Sequence, residues 1–412
     1  MRTGRGLDVL SLGSFVVLGL PDGMLGTAWP SMRQSFGVPI ADLGLILLVI
    51  TAGSVAVSAF VGALIRRFGV PALLTASGSC AALGGIGFAV APGIWLIFAV
   101  SALLGVAAGL MDGGLNTAIG LSGRPRLLNL LHAAYGVGTT IGPLLITAAI
   151  LVSSWRPAYV ALAVLDLVIA ASWLRQQRAE RARSGGPSPA GGAAPDVAPP
   201  HAAPAADHPA AATGHPSWSP RRSAFVVAAG MAIFFVYTGV EVAAGQWEAS
   251  FCRGHLGLSA AAAGIATFGY WGALTGVRII LALLPRPVPP PAVVRWGSGI
   301  GAAAAAVIWW QPGTAVTLAG FVVLGAALAG VFPALIALTP DRIGRARAQH
   351  VIAWQVGAAA AGGSGLSALI GLLIGAAGLA VLGPSLTVLA VLLVTGNAVL
   401  GRAAPVRYGE RT

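Results

Sequence analysis

Apolar runs of about twenty residues recur along the whole chain, each long enough to cross roughly 30 Å of hydrocarbon as a helix. The pattern places twelve spans at 7–29, 43–65, 72–91, 93–119, 127–152, 157–174, 223–247, 260–284, 292–310, 314–338, 349–373 and 377–400. Strand-type alternation over about ten residues, the mark of a membrane barrel, is absent. The prediction is an all-α polytopic membrane protein. One stretch breaks the pattern: residues 175–222 begin with arginines and continue in Pro, Ala, Gly and Ser. Too little of it is apolar enough to pack, so it reads as a disordered cytoplasmic linker. The expected plan is an N-terminal six-helix bundle (1–174), the linker (175–222), a C-terminal six-helix bundle (223–400) and a cytoplasmic tail (401–412).

Charge orients this plan. All 24 basic residues are arginine, and if the N-terminus is cytoplasmic, 20 fall in inside segments, three (Arg33, Arg156, Arg253) outside and Arg278 within a span. That is a positive-inside distribution for a multi-pass cell-membrane protein with both termini cytoplasmic. It also accounts for the net charge of +12, because no basic stripe with interleaved aromatics exists and nucleic acid is not an expected partner. Only 9% of residues are charged and the mean hydropathy is +0.85, against about 25% charged in an average globular domain. The start, MRTGRG before an apolar run, reads as an uncleaved first helix, since Asp22 interrupts the run. Cys80 and Cys252 lie in apolar spans and read as packing residues. His201, His208 and His215 in the linker have no cysteine or clustered ligand beside them, so no metal site is expected.

The two halves repeat. Asp22 in span one corresponds to Glu241 in span seven, 219 residues later, each followed four residues on by glycine. His132 and Tyr135 with Gly136 and Gly138 in span five correspond to His350, Trp354, Gln355 and Gly357 in span eleven. A similar offset in a third pair, spans four and ten, argues with these for duplicated bundles related by an axis along the membrane normal.

Intramembrane carboxylates cost several kcal/mol in hydrocarbon unless partnered, protonated or facing a cavity, which makes them functional candidates. They are Asp22, Asp112, Asp166 and Glu241, with Glu248 near the outer end of its span. Gly105, Gly109, Asp112 and Asn116 share one face of span four. Asn129, His132, Tyr135 and Thr139 form a polar stripe on span five, and Tyr237 sits one turn before Glu241. The span-four stripe reads more as part of a pathway than as buried polar packing, whereas His132 on span five serves either equally. Asp22 and Glu241, facing each other across the two-fold, are the primary proton-site candidates, favouring reversible protonation; Asp112 with Asn116 is expected to bind substrate or relay protons. His132, Tyr135, Trp271, Trp354 and Gln355 are expected to line the cavity, with Asn129 and Tyr237 as further candidate substrate contacts. Asp166 reads first as a bond to a neighbouring helix, and Arg278 as a side chain that snorkels to the cytosol, with function the lesser reading of both. Trp29, Trp95, Trp155, Trp247, Trp309 and Trp310, near outer ends, read as an aromatic belt. G-x-S-x-G, H-E-x-x-H and P-loop signatures are absent, so an enzyme is not expected.

On GLPDGMLGTAWP, LNLLHAAYGVGTTIGPLL, YTGVEVAAGQWEASF, GYWGALTGVR and GVFPALIALTPDRIG, the chain resembles the major facilitator superfamily, and within it the fucose:proton symporter and hexose-transporter-like branch. The resemblance implies alternating access between two six-helix bundles, monomeric function, and proton coupling and sugar recognition at the positions of Asp22 and Asp112. The loop after span two departs from the family's G-x-L-x-D-R-x-G, with Arg66 where aspartate is usual. Residues 138–143 resemble part of an antiporter motif. The expectation is therefore proton-coupled symport of a sugar or similar hydroxylated solute, with no cofactor beyond a coupling ion, expected to be H+. A drug or metabolite:proton antiporter is the alternative, and a non-transporting receptor on the same fold a third. The orientation is testable by labelling: a cysteine introduced as His201→Cys in a background lacking Cys80 and Cys252 should react with an impermeant maleimide only after cells are permeabilised, and labelling in intact cells would refute it.

Overall fold

The computed structural model describes residues 5–121, 124–184 and 219–405. The expected histidines of the linker, most of the linker itself (185–218) and residues 406–412 of the tail lie outside the described residues. Ten of the twelve expected spans are single helices: α1 (Arg5–Phe36), α4 (Val70–Val90), α5 (Ile94–Leu121), α6 (Pro125–Val152), α7 (Arg156–Ser184), α8 (Pro220–Gly254), α9 (Ala260–Leu283), α10 (Pro290–Trp310), α13 (Arg345–Ala377) and α14 (Leu382–Ala403). The other two are broken. Span two is α2 (Asp42–Ser58) and α3 (Val61–Phe68), bent by 55°; span ten is α11 (Thr314–Leu328) and α12 (Val331–Ile343). α7 runs to Ser184, past the expected end at 174. The segment RQQRAERAR that extends it consists of strong helix formers, and Gln176 Nε2 donates to Glu180 Oε1 at 2.9 Å one turn on.

The halves share one packing plan. In the first, α1 packs on α6, α2 on α5 and α4 on α7; in the second, α8 packs on α13, α9 on α11 and α10 on α14, the same pairs in repeat order. Between halves, α1 meets α8 on the axis, while α6·α9 and α2·α13 are the two equivalent flanking contacts. This is the two-bundle architecture that the sequence repeat implies.

Helices come this close because the contacts use residues without bulk. A Cβ on Gly138 would lie 2.0 Å from the Val16 carbonyl oxygen, and one on Gly19 2.2 Å from that of Tyr135. The glycines from 138 to 142 are thus the α1–α6 crossing itself. Arg124 closes the terminal end of the same pair, donating to both Asp8 carboxylate oxygens at 2.7 and 2.5 Å.

Every hydrogen bond and glycine contact between halves among the described residues lies at mid-depth or on the side away from the termini. Gly26 abuts the Gln246 backbone, Gly44 abuts Ala368, and Arg253 Nη1 donates to Ser31 Oγ at 2.8 Å. At mid-depth Thr275 Oγ1 donates to the Gly136 carbonyl at 3.0 Å. One turn nearer the termini, His132 and Arg278 are close enough to feel each other's charge, yet no hydrogen bond joins them. Among the described residues, the halves are thus joined by these contacts at mid-depth and on the far side and by none of them on the terminal side.

Three tryptophans depart from the expected belt. Trp29, Trp155 and Trp247 are 0%, 1% and 0% exposed, and their indole N–H groups donate to the Ile40 carbonyl, Ser35 Oγ and the Ser367 carbonyl at 3.0, 3.3 and 3.0 Å. They pin helix ends from inside. Trp95, Trp309 and Trp310 are exposed, as an interfacial belt requires.

Replacing Gly138 with alanine should force α1 and α6 apart and lower stability by about 1–3 kcal/mol, the usual cost of overpacking. Gly365, where an added Cβ would meet nothing within 4 Å, is the control. Thermal melts in detergent should show a lowered midpoint for Gly138→Ala and an unchanged or raised one for Gly365→Ala; equal midpoints would refute the crossing's role.

Candidate functional site

Pro21 precedes Asp22 in the middle of α1. Proline has no N–H, so the Val17 carbonyl one turn back loses its helical partner and the helix is locally loosened beside the acid. Asp22 is only partly covered, and its carboxyl accepts a hydrogen bond from the Tyr135 hydroxyl of α6. Its backbone carbonyl accepts from Gln246 Nε2 of α8 at 2.9 Å. One residue is thus tied to its own half by its side chain and to the other half by its backbone.

Asp22 lines a cavity of about 320 Å³ together with Asp112, His132 and Tyr135. Asp112 is solvent-accessible there and accepts from Asn116 Nδ2 at 2.8 Å, leaving Asn116 Oδ1 buried without a partner. His132 is accessible too, edge-on to Phe15 at 6.2 Å between ring centroids, and near enough to Asp112 to feel its charge. Gly105 and Gly109, on the same helix as Asp112, press against the backbone of α2 at Ile50 and Ser54.

The repeat position is built differently. Glu241 accepts from Tyr237, one turn earlier on its own helix, and pairs with Arg278 of α9 across 3.8 Å. Arg278 Nε also donates to the Ala329 carbonyl at 3.0 Å. The expected snorkelling of Arg278 does not occur: a carboxylate and a carbonyl within reach hold the guanidinium inside. Tyr270 closes the cluster, its hydroxyl donating to the Glu241 carbonyl at 2.7 Å.

The remaining candidates scatter. Asn129 is accessible near the terminal end of α6 and is not part of the cavity wall. Tyr237 is buried beside Glu241 and outside that wall as well. Trp271 is 5% exposed, packed against Gly245 and Tyr270, with its N–H unpartnered. Trp354 is 56% exposed, away from the cavity. Gln355 is buried, its Oε1 accepting from Thr339 Oγ1 at 2.9 Å. Glu248, expected near a helix end, is fully buried and neither of its oxygens has a partner. Gln246 was not singled out in the sequence, where a lone glutamine beside Trp247 gives no signal of reaching across to α1.

A family model described as the Major Facilitator Superfamily matches residues 11–367. Two solved structures of a mutant peptide transporter POT, one in complex with sulfate and one with alafosfalin, share the fold. Each is 13% identical, with 97% of this chain and 96% of that chain covered and TM-scores of 0.66 and 0.69. Identity this low speaks for fold alone. A search of curated proteins finds no match.

Removing one partner of a poorly solvated ion pair strands the other. Arg278→Gln should lower the detergent melting midpoint, by about 2 kcal/mol given that both groups keep some solvent contact. The double variant Arg278→Gln, Glu241→Gln should recover most of the loss. A double variant as unstable as the single would show the pair to be incidental.

Proposed function

The chain belongs to the major facilitator superfamily of transporters, and we propose that it is a proton-coupled secondary active transporter that moves a small organic solute by alternating access. The observation that supports this best is Asp22: a carboxyl at a cavity wall, bonded by Tyr135 within its half, on a residue whose backbone Gln246 grips from the other half. Charging or neutralising such a carboxyl changes its hydrogen bonding where the two bundles meet, which is the link a coupled carrier needs.

In this reading Asp22 carries the proton and Asp112, solvent-accessible and held by Asn116, passes it to or from the terminal side. Glu241, already compensated by Arg278, serves as a fixed partner more than as a carrier. With both termini cytoplasmic, as the arginine distribution indicates, the arrangement is the inward-facing one.

The substrate reading taken from the fucose-symporter resemblance is a sugar or other hydroxylated solute entering with the proton. A second reading, proton antiport of an apolar metabolite or drug, is favoured by the cavity wall, which includes Phe15, Leu18, Ile50, Phe88 and Met111 but no amide side chain and no arginine. The chain's function as a monomer in the cell membrane goes with either.

Proteoliposomes test the coupling. Under the symport reading, uptake of labelled L-fucose or D-glucose should follow an imposed inward proton gradient and fall at least tenfold in Asp22→Asn, while exchange of substrate at equal pH persists. Gradient-driven uptake that survives Asp22→Asn would sink the assignment.

A further inference from the structure

The cavity beside Asp22 does not end there. Besides Asp112 and His132, whose side chains are accessible, its wall includes residues of α1, α2 and α5, Phe88 of α4, and Tyr159, Asp166 and Ile169 of α7. All of its lining side chains come from the N-terminal bundle, so this is a chamber inside one half and not the cleft between the two.

Two polar groups of the α7 wall have no partner among the described residues. Asp166 is 6% exposed and has no hydrogen-bond or ion-pair partner among the described residues. Tyr159 is 1% exposed, its ring stacked on Phe88 at 4.7 Å, and its hydroxyl has no partner. They lie seven residues apart on α7, two turns along one face. The other two acids of the chamber are bonded by protein groups, Asp22 by Tyr135 and Asp112 by Asn116. A buried carboxyl and a buried hydroxyl with nothing to bond are costly to maintain unless something else meets them.

The chemistry of what meets them follows from the inventory of the wall. Three carboxyls line the chamber against a single imidazole, with no arginine and no amide; Ser14, Ser54, Ser77, Tyr135 and Tyr159 add hydroxyls, and the rest is aliphatic and aromatic. Carboxylates accept hydrogen bonds and compensate positive charge, and a hydroxyl can accept as well. A neutral polyol would leave the carboxylate charges unmatched. An ammonium group on an apolar body satisfies both.

We propose that this chamber binds a compact organic cation, a protonated amine on an aromatic or aliphatic group, with Asp166 as its counter-ion and the Tyr159 hydroxyl accepting an ammonium N–H. The apolar part lies against Phe88 and its neighbours. About 320 Å³ is at the lower end of the range of small-molecule pockets and holds one ring with a short chain. The proposal deepens the transport reading, since the same cavity would then carry an amine, but binding itself does not require that transport occur.

The test uses the purified full-length protein in detergent with 2-phenylethylamine and its neutral counterpart 2-phenylethanol as probes, read by thermal stabilisation and by equilibrium binding. The amine should raise the midpoint in a saturable way and the alcohol should not. Asp166→Asn should weaken amine binding at least tenfold, Asp166→Glu should retain most of it, and Tyr159→Phe should weaken it several-fold. Ile169→Trp, which fills the chamber and leaves the carboxyl in place, should abolish the response and decides the matter should Asp166→Asn fail to fold. Equal stabilisation by amine and alcohol, or an amine response unchanged in Asp166→Asn or in Ile169→Trp, would overturn the site. The gradient assay separates the two readings: amine binding that persists while Asp22→Asn leaves gradient-driven uptake intact upholds the chamber and refutes the coupling.

Discussion

A carboxyl at the middle of an apolar helix is the constraint on which the rest of the molecule depends. Hydrocarbon offers Asp22 nothing, so the fold must bring it a donor, a cavity or both. Both arrive through the α1–α6 crossing. Gly19 and Gly138 let the two backbones touch, and that contact sets Tyr135 over the Asp22 carboxyl, where both side chains line the chamber. Bulkier residues at the crossing would separate the acid from its hydroxyl donor. The glycines from 138 to 142, which resemble part of an antiporter motif, have a sufficient explanation in this packing, and direction of transport does not follow from them.

The two halves repeat in architecture but not in electrostatics. Among the described residues Asp22 has a tyrosine and no cation, while Glu241 has a tyrosine and Arg278. An ion pair in a poorly solvated place is held together by the cost of parting it, because either charge alone is left uncompensated. The duplicated positions are thus divided into one acid that no cation answers and one tied to a guanidinium. The sequence repeat alone made the two look equivalent, since the residue that distinguishes them, Arg278, sits 37 positions further on in a different helix.

What was legible in the sequence was what depends on local composition. Twenty-residue apolar runs located the spans, and the repeat offsets located the two-fold, because both are properties of neighbouring residues along one helix. The break between α2 and α3 was not legible: Ala59 and Phe60 carry neither proline nor glycine, and the bend comes from α3 laying Val61 against Leu73 and Leu110 of neighbouring helices. The inward-turned Trp29, Trp155 and Trp247 were likewise hidden, since tryptophan at a helix end serves a lipid interface or a buried acceptor equally well and only the partner decides. Asp166 has no repeat partner, and its surroundings come from α4, α5 and α1, far away in sequence.

A cavity walled by one bundle raises a question of energetics that the rest of the structure answers. A ligand shifts a conformational equilibrium only by the difference in its affinity for the two states. A site that moved as a rigid part of one half would bind equally well whichever way the halves were tilted, and would bias nothing. The bias must therefore enter where the wall of the chamber is also part of the junction between halves. Asp22 and Tyr135 meet that condition: both line the chamber, Gln246 grips the backbone of the first, and Gly136, next to the second, accepts from Thr275 of the other bundle. These hydrogen bonds join the wall of the chamber to the other bundle, so in the proposed carrier they are where occupancy or charge in the chamber would bias the tilt of the bundles.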